Sequence, residues 1–184
     1  RKELFNGRRT EAIKKYGLAA GKKTVLVFGG GSGSRAINDG LRKYVSALSR
    51  KYNVLHLCGK GNVVESNIPC YVQKEFEPDM GAAYAAADLV VSRAGSNAIF
   101  EILALKKPSL LIPLEGQSRG DQAENAAYFQ KRHLCRVLKQ ADMDFLPEAI
   151  EDALADEELL SALAVSDFAG GNSNILHELH RFLV

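Results

Sequence analysis

The residues best suited to chemistry fall in DLVVSRAGSNAIFE, from Asp88 to Glu101, and in GDQAENA, from Gly120 to Ala126. A short apolar run, an abrupt SRAGS and a helix-like segment predict a strand, a tight turn and a helix N-terminus. In that layout backbone N–H groups and a positive dipole end meet an anion. Arg93 stands in the turn, where a guanidinium offers a charged fork to phosphate or simply sits solvated at a strand end. Glu101 lies about a turn into the helix. Its carboxylate suits two adjacent sugar hydroxyls as acceptor, or reads as a plain surface charge. Gln122 and Asn125 supply further amides at a second helix start, where such residues also serve only to trim a helix end.

A glycine loop adds to this. Thr24 to Phe28 is a continuous apolar run, followed by Gly29, Gly30, Gly31 and Gly33 and then a helix from about Ser34 to Arg50. Strand, glycine loop and helix form a phosphate cradle. Gly31 to Ala36 matches G-x-G-x-x-A, the dinucleotide pattern, but the second strand ends in His56-Leu57-Cys58-Gly59 with no acid to hold a ribose. The G-K-[ST] ending of a P-loop is missing as well. His177 and His180 lie three apart with no third ligand in the sequence, so packing is preferred over metal. His56 stands at a strand end as a possible site residue, and no Ser/His/Asp or Cys/His set assembles. No metal site is expected.

The elements that must position these residues alternate. Predicted strands cover Thr24–Phe28, Asn53–Cys58, Cys70–Gln73, Asp88–Val91, Ser109–Leu114 and Leu134–Leu138. Between them lie helices near Ser34–Arg50, Pro78–Ala87, Asn97–Leu105 and Asp121–Arg132, where Asp121 and Glu124 suit a reciprocal cap. A short helix, Arg8–Tyr16, precedes them; Phe145–Ala155, Asp156–Val165 and Ile175–Phe182 follow. The fold class is therefore α/β, a Rossmann-like doubly wound parallel sheet, with ligands beyond the carboxyl ends of the strands. Residues 1–20 read as an interdomain segment with a short helix, 21–170 as a nucleotide-binding domain and 171–184 as a C-terminal helix.

Composition bounds the rest. The 184 residues are 46% hydrophobic, with 24 basic against 22 acidic side chains, so the chain can bury a globular core and a nucleic-acid groove is not indicated. Three cysteines with wide spacing fit reduced thiols in a cytoplasmic protein. No apolar run approaches the roughly 20 residues of a membrane span. The start at Arg1 suggests a piece of a longer chain.

LVFGGGSGSRAIN, FEPDMGAAYAAADLVVSRAGSNAIFEILALKKPSLLIPL and SRGDQAENAAYF together resemble the MurG family of GT-B glycosyltransferases, over nearly the whole chain but only over the family's C-terminal half. The resemblance implies an inverting N-acetylglucosaminyltransferase. UDP-N-acetylglucosamine is its donor and an undecaprenyl-linked muramoyl-pentapeptide lipid of peptidoglycan synthesis its acceptor, on the inner face of the cell membrane. It implies no cofactor, no catalytic residue in this half, and an N-terminal acceptor domain as partner. By the same resemblance, the backbone at Phe76 and Glu77 reads the uracil edge, with Met80 nearby, and Glu101 holds the ribose. Arg93, Gly31, Ser32, Gly33, Ser34, Gly95, Ser96 and Asn97 surround uracil and diphosphate. Asp121, Gln122 and Asn125 meet the sugar, and Arg1 adds to the donor site. Gly31 stands where the family usually has serine, Ala98 where some members have a polar residue, and Asp121 where many have His or Gln. Two alternatives stay open: the donor half or subunit of another lipid glycosyltransferase, and a non-catalytic nucleotide-binding module.

Overall fold

The computed structural model describes residues 2–114 and 121–166, the side chains of Lys2 and Asp121 excepted. A 3₁₀ turn, Lys2–Asn6, leads into α1 (Arg9–Lys15). Then come β1 (Thr24–Phe28), α2 (Arg35–Lys51), β2 (Asn53–Leu57), β3 (Tyr71–Lys74), α3 (Met80–Ala86), β4 (Leu89–Ser92) and α4 (Ser96–Ala104). They are followed by β5 (Ser109–Leu111), α5 (Asp121–Gln130), β6 (Arg136–Val137), a second 3₁₀ turn (Gln140–Phe145), α6 (Leu146–Ala155) and α7 (Glu157–Val165).

The six strands form one sheet in the order β3-β2-β1-β4-β5-β6, and every pairing is parallel. This is the doubly wound order, and the direction of winding reverses between β1 and β4. The unbroken apolar strands follow from coverage on both faces. Along β1, Val25 and Val27 pack with Ile37, Leu41 and Val45 of α2 and Ile150 of α6. Leu26 and Phe28 turn the other way, toward Ala12 of α1, Tyr84 of α3, Ile99 of α4, Phe129 of α5 and Leu163 of α7. Alternate side chains of one strand thus belong to different cores, and β1 and β4 are buried along their whole length.

Most boundaries lie within a residue or two of expectation, and the departures have local causes. The helix expected at Pro78 begins at Met80, because Asp79 caps it by accepting from the Ala82 amide. The fifth strand closes at Leu111: its partner β6 has only two residues and Pro113 has no N–H to donate. The expected sixth strand shrinks accordingly. A 3₁₀ turn takes Phe145, so the helix expected from that residue begins at Leu146. Leu4, Ala12, Tyr16 and Leu18, from the segment read as interdomain, are buried in the core shared with α3 and α4. Arg9 also donates to the Ala86 carbonyl and to Asp88, and Asp88 accepts from the Thr24 amide, so α1, β1 and β4 are tied at the sheet's other end. The Ile175–Phe182 helix lies outside the described residues.

Candidate nucleotide site

Two strand-to-helix turns meet at the switch point. After β1, Gly29 to Ser34 fold back onto α2, and Ser34 caps that helix by accepting from the Ile37 amide. Gly33 has φ +81°, and a Cβ there would come within 2.2 Å of the Cys58 carbonyl oxygen, so the loop rests on the end of β2 and no larger residue fits. After β4, Arg93 to Gly95 lead into α4. Gly95 occupies its N-cap and supplies no side-chain acceptor, so the first-turn amides of α4 are left for another partner.

Between the turns lies a cavity of about 900 Å³, open to solvent, lined by the glycine loop, Arg93, Gly95 to Ala98, Leu114, Gln122 and Gln140. Of the sequence-derived residues, Gly31, Ser32, Gly33, Ser34, Arg93, Gly95, Ser96, Asn97 and Gln122 border it. Gly31 faces open space, with nothing within 4 Å of the point a methyl group would occupy. Gln122 accepts from the Leu114 amide at 3.0 Å, and Asn125 donates to the Ala94 carbonyl and to Ser96 Oγ at 3.3 and 3.4 Å. The amides of α5 therefore brace the β4–α4 turn and the exit of β5.

Arg93 is the hub, in a way its sequence position did not reveal. One terminal nitrogen donates to the carbonyls of Ile112 and Pro113 at 3.1 and 3.2 Å. The other donates to Ser34 Oγ at 2.8 Å and Gln140 Oε1 at 2.6 Å. Both tips of the expected phosphate fork are thus engaged within the protein. All four acceptors are neutral, and partial burial lowers the guanidinium pKa from its ordinary value without threatening its charge. The result is a half-buried cation at the cavity wall with no carboxylate beside it among the described residues.

Other site residues stand apart from this lining. Glu101 lies farther along α4 and accepts from Tyr84 Oη at 3.2 Å. Glu77 is buried, with its carboxylate held by Lys15, Lys74 and the Asp79 amide. Burial would raise its pKa, but these donors outweigh it and hold it below the ordinary value. The side chain is therefore a structural hub, and any reading of a base edge falls to the backbone there. Phe76 is 65% exposed beside it, and Met80 packs half-buried against the core. Arg1 and the side chain of Asp121 lie outside the described residues, as does the reciprocal cap expected at Asp121.

His56 is no site residue. It is fully buried, with Nε2 2.9 Å from Asn38 Oδ1 and Nδ1 2.9 Å from Tyr71 Oη. Asn38 uses its Nδ2 to donate to the Cys58 carbonyl, so its oxygen must accept from His56, and the imidazole is the neutral Nε2–H tautomer. Burial, with Arg42 nearby, pushes its pKa down to about 4. Among the described residues no cluster of three His, Cys, Asp or Glu side chains could hold a metal ion.

Gln140, like Arg35, Ala98 and Leu114, lines the cavity and was missed by sequence reasoning. For Gln140 the available signal was topological: it follows β6, whose exit lies on the same sheet edge as the two turns.

Comparisons with known proteins agree with this geometry. The family model for the glycosyltransferase family 28 C-terminal domain matches residues 24–168. A UDP-N-acetylglucosamine--N-acetylmuramyl-(pentapeptide) pyrophosphoryl-undecaprenol N-acetylglucosamine transferase from Clostridium perfringens is 39% identical over 183 residues, covering 96% of this chain and 51% of its own. The Oceanobacillus iheyensis protein of the same name is 46% identical over 146 residues, covering 78% and 41%. The chain thus spans about half the length of the curated relatives it matches. The crystal structure of Acinetobacter baumannii MurG shares the fold with TM-score 0.72 at 20% identity, over 96% of this chain and 55% of that one. A Neisseria meningitidis UDP-GlcNAc 2-epimerase bound to UDP-GlcNAc shares it with TM-score 0.62 at 12% identity, over 94% and 48%. The sheet is that of the C-terminal, Rossmann-like half of a GT-B glycosyltransferase, and the chain belongs to the glycosyltransferase family 28 C-terminal domain family.

Proposed function

We propose that this domain binds UDP-N-acetylglucosamine as the donor half of an inverting glycosyltransferase, which adds N-acetylglucosamine to an undecaprenyl-linked muramoyl-pentapeptide lipid. The observation that carries the reading is the switch-point cavity, where two helix N-termini and the charge of Arg93 converge with no carboxylate beside that cation among the described residues. Such a wall suits a diphosphate and stabilises the negative charge that grows on UDP as the bond to the anomeric carbon breaks. The names of the relatives supply the sugar and the acceptor.

In this reading Glu101 meets the ribose hydroxyls, the backbone at Phe76 and Glu77 meets uracil, and Gln122, with Asn125 and Asp121, meets the sugar. The acceptor site and the catalytic base belong to an N-terminal domain, through which the whole enzyme sits on the inner face of the membrane. No helix among the described residues is long and apolar enough to cross one. The donor set here consists of N–H groups and a guanidinium, so UDP binding is proposed to need no metal.

Calorimetry or ligand-observed NMR on the 184-residue chain tests this. Weak binding of UDP and UDP-N-acetylglucosamine without turnover is expected. A folded chain that binds neither, or one that transfers sugar alone, overturns the proposal.

A further inference from the structure

Gln140 stands at the start of the 3₁₀ turn after β6, 47 residues from Arg93 in sequence, yet its Oε1 accepts the shortest of the four hydrogen bonds that hold the guanidinium. That bond also decides how the amide lies, because Arg93 has only donors and the atom facing it must be the oxygen. The Nε2 end has no hydrogen-bond partner among the described residues, and Gln140 borders the cavity. Two consequences follow from the choice of an amide here. It orients Arg93 without neutralising it, so the cation's field reaches the cavity. It also leaves an N–H₂ donor at the rim.

Glutamate has nearly the same shape and would make a stronger, charge-assisted bond to Arg93. It would also cancel the positive charge and set a carboxylate against any anion. A residue whose only duty was to fasten Arg93 would serve better as glutamate. We infer that Gln140 is a specificity-determining residue for the phosphate-bearing part of the ligand, holding Arg93 beside the diphosphate without neutralising it. This rests on the nucleotide reading of the cavity and adds to it a residue outside the two turns.

The test measures Kd for UDP and for uridine, and the thermal midpoint, with the 184-residue chain and its Gln140→Glu and Gln140→Met variants. Gln140→Glu is expected to melt no lower than the parent and to bind UDP about tenfold or more weakly, with uridine affinity unchanged. Gln140→Met, which keeps the bulk and leaves Arg93 charged, is expected to lose less UDP affinity than Gln140→Glu. Unchanged UDP affinity in Gln140→Glu, or equal losses for UDP and uridine, overturns the inference while leaving the nucleotide reading in place. A parent chain that binds no UDP overturns both.

Discussion

At the scale of single residues, the site separates into groups that touch the cavity and groups that hold those in place. Glu101 is the case where the two roles need separating, since it accepts from buried Tyr84 and is also the proposed ribose acceptor. Glu101→Ala is expected to weaken UDP binding by on the order of 1 to 3 kcal/mol, through ribose hydroxyls left without their acceptor. Tyr84→Phe removes the hydroxyl that donates to Glu101 and should leave UDP affinity within about 0.5 kcal/mol of the parent. Calorimetry on both variants decides it, and equal losses would return Glu101 to a structural role. The glycines divide in the same way. Gly31 faces open space, so Gly31→Ser should keep the thermal midpoint and tighten UDP binding by about 1 kcal/mol through a new hydroxyl. Gly33→Ala meets both a left-handed backbone and the Cys58 carbonyl, and should lower the unfolding free energy by at least about 1 to 3 kcal/mol in urea titration. A mild Gly33→Ala would mean that the loop does not rest on β2 as described.

At the scale of elements, the glycine loop is held by a buried polar chain. Tyr71 on β3 donates to His56 on β2, His56 to Asn38 on α2, and Asn38 to the carbonyl of Cys58, against which Gly33 packs. The chain needs a neutral imidazole. The folded pKa of about 4 lies below the ordinary 6.5, so the unfolded state binds the proton more tightly. The stabilising contribution is complete above pH 6.5 and is lost as pH falls toward 4. Between pH 7 and pH 5 the unfolding free energy should fall by about 2 kcal/mol from this group. The carboxylates held below their ordinary values, such as Glu77, lose their contribution only as pH falls from about 4.5 downward, so the upper window separates His56 from them. Urea unfolding at the two pH values, with the parent and His56→Gln, checks this: the variant should lose much less, and equal losses would assign the slope elsewhere.

At the scale of the whole molecule, the sheet, its two cores and the switch-point cavity form the unit proposed to bind the donor, in a chain that spans about half the length of the relatives it matches. EDTA should leave the UDP affinity of this chain unchanged, because N–H groups and a guanidinium are proposed to hold the diphosphate. A marked loss in a calorimetric titration would mean that a cation takes part. Much of this architecture was legible from residues in a row. Periodicity marks β1 as covered on both faces, the glycines after it mark a tight loop, and the alternation of elements implies a parallel sheet, since each signal depends on neighbours in the chain. The candidate site was legible in part: Gly31 to Ser34, Arg93 and Gly95 to Asn97 lie where their strands end and border the cavity. Other features needed atoms far apart in sequence to meet. Arg93 faces Ser34, two carbonyls after β5 and Gln140, and only the strand order brings those four together. Nothing in SRAGS says that the tips of the guanidinium are already engaged. His56 could equally have been a ligand until Asn38 and Tyr71 closed around it. Sequence by itself determined which segments are strands, which glycine-bearing turns follow them and the family they resemble, because these are local properties. Tertiary structure alone decided which partners hold the Arg93 guanidinium and that His56 is buried, because contacts and burial depend on partners that the fold, not the chain order, supplies.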